Sequence, residues 1–296
     1  MNILVTGSNG QLGRSLRKAS VGSGHHFVFT DITEAADVET LCLDVCNEES
    51  VQIFVESEKI DVIVNCAAYT GVDMAEDDIY MANLVNCEAP ALLSSVAKRN
   101  GVLLVHISTD YVFSGKNHPY PYTEKDIPDP ESVYGVTKLA GEDAIMKSGC
   151  KYVILRTSWM YSLHGKNFVN TMLSLFSKKD EVRVVFDSAG TPTCAEDVAA
   201  AIMHIIDDER LFEKTGLYHF SSEGVASWYD FAQAIRVFSG SSCRVIPVRS
   251  TEYPARARRP VYSVLDKTLF KNTFGVEIPH WTETLRKTLQ AYNESD

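Results

Sequence analysis

The stretch from Asn2 to Leu16, NILVTGSNGQLGRSL, decides the fold. Its first residues, NILVT (2–6), form a short apolar run that reads as a buried strand. Gly7, Gly10 and Gly13 follow at once, and an amphipathic pattern then reads as a helix near 10–20. The spacing Gly-x-x-Gly-x-x-Gly differs by one residue from the usual dinucleotide fingerprint, but the demands are similar. The chain must turn tightly, let a pyrophosphate approach its backbone, and pack the helix close to the sheet. Amides at the helix start, from Gln11, Leu12 and Gly13, would then bind the anion. An ordinary strand-to-helix turn is the plainer alternative, and the strand directly before the glycines weighs against it.

Outward from this turn, short apolar runs alternate with longer amphipathic ones. Strands are expected at 26–30, 41–43, 61–65, 102–107 and 152–156, and helices near 48–58, 79–99 and 131–147. That succession predicts an α/β fold with a doubly wound, parallel, Rossmann-type sheet that binds ligands at the carboxyl ends of its strands. After residue 158 the rhythm loosens. Helices are expected near 166–178, 195–208, 228–239, 266–272 and 281–292, with strands near 182–186, 217–220 and 244–248. The expected division is a dinucleotide-binding domain over 1–158, with returning segments near 166–180 and 195–220. The remainder of 159–296 would form a smaller α/β substrate lobe.

The whole chain narrows the function classes. Its 296 residues are 45% hydrophobic and 23% charged, the profile of a globular protein. A net charge of -11 argues against binding nucleic acid or an anionic membrane surface. Residues 1–7 carry none of the features of a secretory signal, and no apolar run reaches a membrane span, so a cytoplasmic setting is expected. The seven cysteines lack framework spacing and are read as reduced thiols. Neither Cys42 with Cys46 nor His25 with His26 has the partners of a zinc site, so no metal is expected.

Two acids follow early strands. Asp31 would bind the adenosine ribose hydroxyls, favouring NADH over NADPH, or would cap a helix. Asp44 would lie beside the adenine or cap the helix at 48–58. Asp73 and Glu76 read as an acidic helix start. Farther on, Tyr134 and Lys138 are four apart on an expected helix and so share one face. A tyrosine titrates near about 10, and a neighbouring ammonium would bring that down. Ser108 and Thr109 end the strand 102–107, at the carboxyl edge where a nicotinamide would lie.

The motifs GSNGQLG (7–13), NCAAYTGVD (65–73), STDYVF (108–113), YGVTKLAGE (134–142), RTSWMY (156–161) and ARRP (257–260) occur in that order. Together they resemble the landmarks of the dTDP-4-dehydrorhamnose reductase family of extended short-chain dehydrogenases. The resemblance implies reduction of dTDP-4-dehydro-6-deoxy-L-mannose to dTDP-L-rhamnose with NADPH or NADH. It gives Thr109, Tyr134 and Lys138 the roles of a catalytic triad, with Lys138 also holding the nicotinamide ribose, and Asp110 either positioning the site, relaying a proton or serving only as a turn aspartate. Ala67, Ala68 and Tyr69 would line the cofactor, Trp159 would face the sugar, and Arg258 and Arg259 would face the nucleotide end of the substrate. Some members form homodimers around Mg2+. A homodimer therefore stays open, but Ser15 stands where those members carry an acid and the metal is not carried over. The chain departs from the family at Ser188, Gly71 and Ser114. Two alternatives remain: another nucleotide-sugar 4-ketoreductase or epimerase, and a non-catalytic regulatory subunit like methionine adenosyltransferase beta.

Overall fold

β-branched and aliphatic runs form the strands of the main sheet because helices cover both of its faces. The computed structural model describes residues 1–116, 118 and 120–295. Among these, β1 (Asn2–Thr6), β2 (His26–Asp31), β3 (Leu41–Cys42), β4 (Val62–Asn65), β5 (Leu103–Thr109) and β6 (Lys151–Thr157) join an edge strand, Gly216–His219. All pairs are parallel, in the order Gly216–His219, β6, β5, β4, β1, β2, β3. The chain runs outward from β1 to β3, then restarts at β4 on the other side of β1. The strand order thus reverses between β1 and β4, and a crevice opens there at the carboxyl ends.

Side chains alternate between two cores. Ile3, Val5, Val64 and Val105 pack with Leu12, Leu16, Ile202 and Phe270 on one face. Leu4, Ile63, Leu104 and Ile154 pack with Val51, Val55, Leu93 and Ile145 on the other. Helices Ala195–Asp207 and Thr268–Phe274, although late in the chain, therefore belong to the main sheet.

A further core holds Tyr161, Val182, Val184, Phe231, Ile235, Val245 and Leu285 beneath the parallel pair Glu181–Val185 and Arg244–Val248. The segment 166–180, expected to return to the main sheet, packs here instead: helix Phe168–Phe176 gives Val169 and Met172 to this core. Its start is fixed by Asn167, whose side chain accepts from Asn170 N at 3.0 Å and donates to Gln11 Oε1 at 2.9 Å.

The expected helix 79–99 is divided. Ile79–Asn83 and Ala89–Asn100 flank a π-helical turn, Leu84–Glu88, which turns Asn86 inward to bond the backbone of Tyr69. Strand β5 runs on through Ser108 and Thr109 rather than ending before them. Among the described residues, no helix is long and apolar enough to cross a membrane.

Candidate active site

The glycine turn meets β4 at the crevice. Gly7 sits at φ +62°, and a Cβ there would lie 2.6 Å from the nitrogen of Ala67. A side chain is thus excluded both by backbone conformation and by the approach of the two strand ends. Gly13 is equally confined, since its Cβ would meet Ser8 at 2.4 Å. Gly10 precedes helix Gln11–Ala19, which has no side-chain cap and no acid in its first turn. Its amide end is therefore suited to an anion.

Not every residue expected to touch a cofactor uses its side chain there. Leu12 is buried in the core, and Gln11 Oε1 accepts from Asn167 and from Ser162. Asp31 ends β2 beside the glycine turn, where it accepts from Asn9 N at 3.0 Å. Asp44 is exposed and accepts from Cys46 N at 2.9 Å. The helix it was expected to cap is capped by Asn47, which accepts from Ser50 N. Tyr69 is held through its backbone by Asn86.

The next strand brings the expected catalytic residues together. Thr109 ends β5, and Tyr134 lies in the first turn of helix Val133–Ser148, whose cap Ser132 accepts from Gly135 N at 3.1 Å. Burial pushes the Tyr134 phenol up to about 12, a hydrogen bond with Thr109 pulls it down, and the Asp110 charge pushes it up. Lys138 was expected to lower the phenol, but its buried Nζ donates to Ile107 O at 2.6 Å. Burial brings Lys138 down to about 8, against the opposing charges of Glu142 and Cys66. Asp110 is buried beside Thr109, and desolvation raises its carboxyl to about 7 despite hydrogen bonds with Ser263 and Thr109.

Beneath these groups lie residues that the sequence reading did not single out. Glu142, on the same helix as Lys138, accepts from Arg156 Nη2 at 2.6 Å and from Ser108 Oγ. Asn65 accepts from Thr6 Oγ1 and its amide nitrogen is 3.0 Å from His106 Nδ1. Their signal was polarity inside otherwise apolar strands, at Asn65, His106 and Arg156.

A cavity of about 860 Å³ adjoins the pair Thr109 and Tyr134, lined by Tyr111, Phe168, Met172, Trp228, Tyr253 and Arg259 among others. Tyr111 stands edge-on to Tyr134 with ring centroids 5.6 Å apart and links the cavity to the carboxyl edge of β5. Arg259 donates to Asp73 at 2.7 Å, and the same carboxylate accepts from Ala257 N. Asp73 thus does more than start a helix, whereas Glu76, expected at a helix start, closes the short helix Val72–Ala75 and accepts from Val133 N at the head of the Tyr134 helix. Arg258 is exposed and pairs with Glu131 at 3.4 Å. Trp159 adopts φ +47° and stacks on Trp228 at 3.6 Å, which leaves Trp228, not Trp159, lining the cavity.

The family model for the RmlD substrate binding domain matches residues 1–294. The chain belongs to the dTDP-4-dehydrorhamnose reductase family. It is 40% identical over 294 residues to the dTDP-4-dehydrorhamnose reductase of Burkholderia thailandensis, covering 95% of each chain. The Escherichia coli K12 reductase is 38% identical over 300 residues, with 98% of this chain and 97% of that one covered. Among solved structures, the Clostridium acetobutylicum reductase superposes with a TM-score of 0.91 at 38% identity, over 99% of this chain and 100% of the other. The Bacillus anthracis reductase, in complex with NADP, gives 0.87 at 34% identity, over 98% and 99%. In this family member, the glycine turn and Thr109 lie at the carboxyl ends of main-sheet strands, and Tyr111 joins that edge to the cavity lined largely by the lobe.

Proposed function

We propose that the protein reduces the 4-keto group of dTDP-4-dehydro-6-deoxy-L-mannose with NADPH or NADH, forming dTDP-L-rhamnose. The observation that carries this reading is Tyr134 set against Thr109 at the carboxyl edge of β5, with Tyr111 linking them to a cavity of about 860 Å³. The names of the relatives supply the sugar.

The residues at the crevice fit a dinucleotide. Gly7 and Gly13 leave no room for side chains, the helix start after Gly10 is uncapped, and Ala67 and Ala68 are small. When bound there, the nicotinamide supplies a hydride to the carbonyl carbon. Thr109 donates a hydrogen bond to the carbonyl oxygen, and Tyr134 places its proton on that oxygen as negative charge develops. Lys138, one helical turn from Tyr134, holds the nicotinamide ribose and, in its ammonium form, favours the tyrosinate that results. Asp110 holds Thr109 from behind. The cavity takes the nucleotide, with Arg259, oriented by Asp73, facing the diphosphate and the Trp159–Trp228 stack shaping the sugar end. Arg258 contributes charge at the rim. Asp31 beside the glycine turn supports use of NADH as well as NADPH. Residues 1–158 with 195–220 and 268–274 then serve the cofactor, and the remainder of 159–296 serves the substrate. All seven cysteines are free thiols, which supports a reducing, cytoplasmic setting.

The test is incubation of the purified protein with reduced cofactor and enzymatically prepared ketosugar, with the product identified. One dTDP-rhamnose per cofactor oxidised is expected. A product formed with no net oxidation would point to an epimerase. No turnover, with a transferase subunit captured in fixed ratio, would replace the reading with a regulatory one.

A further inference from the structure

A buried polar chain crosses the sheet ends beneath the site and stops at Lys138. Thr6 Oγ1 donates to Asn65 Oδ1 at 2.7 Å, and Ala67 N donates to the same oxygen at 3.2 Å. These two donors fix the Asn65 amide, because the flipped orientation would set its NH2 against the Ala67 N–H. Asn65 Nδ2 therefore faces His106 Nδ1, at 3.0 Å, as a donor. Nδ1 must then be an acceptor, and the proton of a neutral ring sits on Nε2. That nitrogen is 3.3 Å from Lys138 Nζ. A charged imidazole is disfavoured here twice over, by burial and by the lysine charge, which hold His106 well below its ordinary value.

The consequence concerns the lysine. An ammonium has only donors to offer, so Nε2–H opposes it, whereas a neutral amine can accept that hydrogen. We propose that His106, locked by Asn65 into the Nε2–H tautomer, is a positioning residue that holds Lys138 close to the balance between ammonium and amine. The other groups facing Lys138 are Glu142 on its own helix and Cys66 after β4, both of which favour the ammonium, and the Ile107 carbonyl, which accepts from Nζ. Burial of Lys138, only 1% exposed, favours the amine and acts in the same direction as His106. The lysine can thus lose and regain its proton in the working pH range instead of remaining a fixed charge.

The inference rests on the role given to Lys138 above, but its test reads the resting protein and needs no turnover. Nitrogen-labelled histidine in the full chain reports the tautomer by NMR, and labelled lysine side chains report the Lys138 titration. The expected result is a His106 ring protonated at Nε2 and bare at Nδ1. In His106→Phe the Lys138 titration should move upward by about one pH unit. In His106→Gln, whose amide can accept from Asn65 and still present N–H to the lysine, it should stay near the wild-type position. The alkaline limb of kcat should move with the lysine in each variant. An Nδ1-protonated ring, or a lysine titration unmoved in folded His106→Phe, would overturn the proposal. If that variant does not fold, the tautomer in the unaltered protein decides alone. A failed ketosugar assay with the expected tautomer and titration would count against the reductase reading, not against this one.

Discussion

Two fully buried histidines face two buried cations at the carboxyl end of the main sheet, and they face them in opposite ways. His219 has Nδ1 2.9 Å from Tyr122 O, which can only accept, so the ring proton sits there and the bare Nε2 turns to Arg156 Nη1 at 3.4 Å. His106 has its bare nitrogen on Asn65 and turns its proton toward Lys138. Arg156 is also paired by Glu142 through its Nε and Nη2. Among the described residues no carboxylate bonds Lys138, whose Nζ donates to a backbone oxygen. The first arrangement compensates a buried charge and builds a scaffold. In the second, Glu142 and Cys66 favour the ammonium through charge alone, and the lysine stays open to titration. Burial alone therefore does not tell a structural cation from a chemical one. The direction of each neighbouring hydrogen does.

That contrast can be broken by removing its parts. The largest stability effect is expected for Glu142→Gln, which leaves Arg156 charged and unpaired in the interior. A loss of about 3–5 kcal/mol should appear in urea denaturation. Lys138→Met, measured in the same way, should cost less than about 1 kcal/mol, because it removes a charge that burial already penalises. Equal losses would erase the distinction between the two networks.

Asp110 sharpens it from the acidic side. Its folded value of about 7 lies above the 3.8 of an unperturbed aspartate. The folded protein therefore holds a proton that the unfolded chain has released, and this residue's contribution to stability falls as pH rises from about 4 through about 7. Asp110→Asn should stabilise the protein by about 2–4 kcal/mol near pH 8 and by little near pH 4. A gain that does not change with pH would mean that the carboxyl is not the cause. A separate effect, on substrate binding, is expected at the lobe. Arg259→Ala should raise KM for the nucleotide sugar about tenfold with kcat changed less than about twofold. An unchanged KM would return Arg259 to a bridge to Asp73 and nothing more.

The main sheet was legible because both its periodicity and its glycines are local signals. NILVT followed by Gly7, Gly10 and Gly13 states a strand, a turn and a helix within a few residues. Tyr134 and Lys138 were legible for the same reason, being one turn apart on one helix. What the sequence hid depends on contacts between distant segments. Asn47, not Asp44, caps its helix, a difference that only the backbone path after β3 decides. The helix Phe168–Phe176 has an apolar face that suits either core, and tertiary packing assigned it to the lobe. Asp73 does start a short helix and Glu76 ends it, yet their partners Arg259 and Val133 lie far along the chain. Trp159 sits as expected just past the last strand before the lobe, but its neighbour Trp228 could not be named from local sequence. Asn65 and His106 stood in plain view as polar residues in apolar strands, and their pairing became visible only when β4 and β5 lay side by side.

The most direct test of the account is substrate-dependent loss of the near-ultraviolet absorbance of reduced nicotinamide, compared between the wild-type protein and Tyr134→Phe. The account predicts steady oxidation by the wild type and a rate lower by about two to four orders of magnitude in the variant, with cofactor binding retained. Wild-type turnover in Tyr134→Phe would contradict the assignment of the proton donor on which the rest depends.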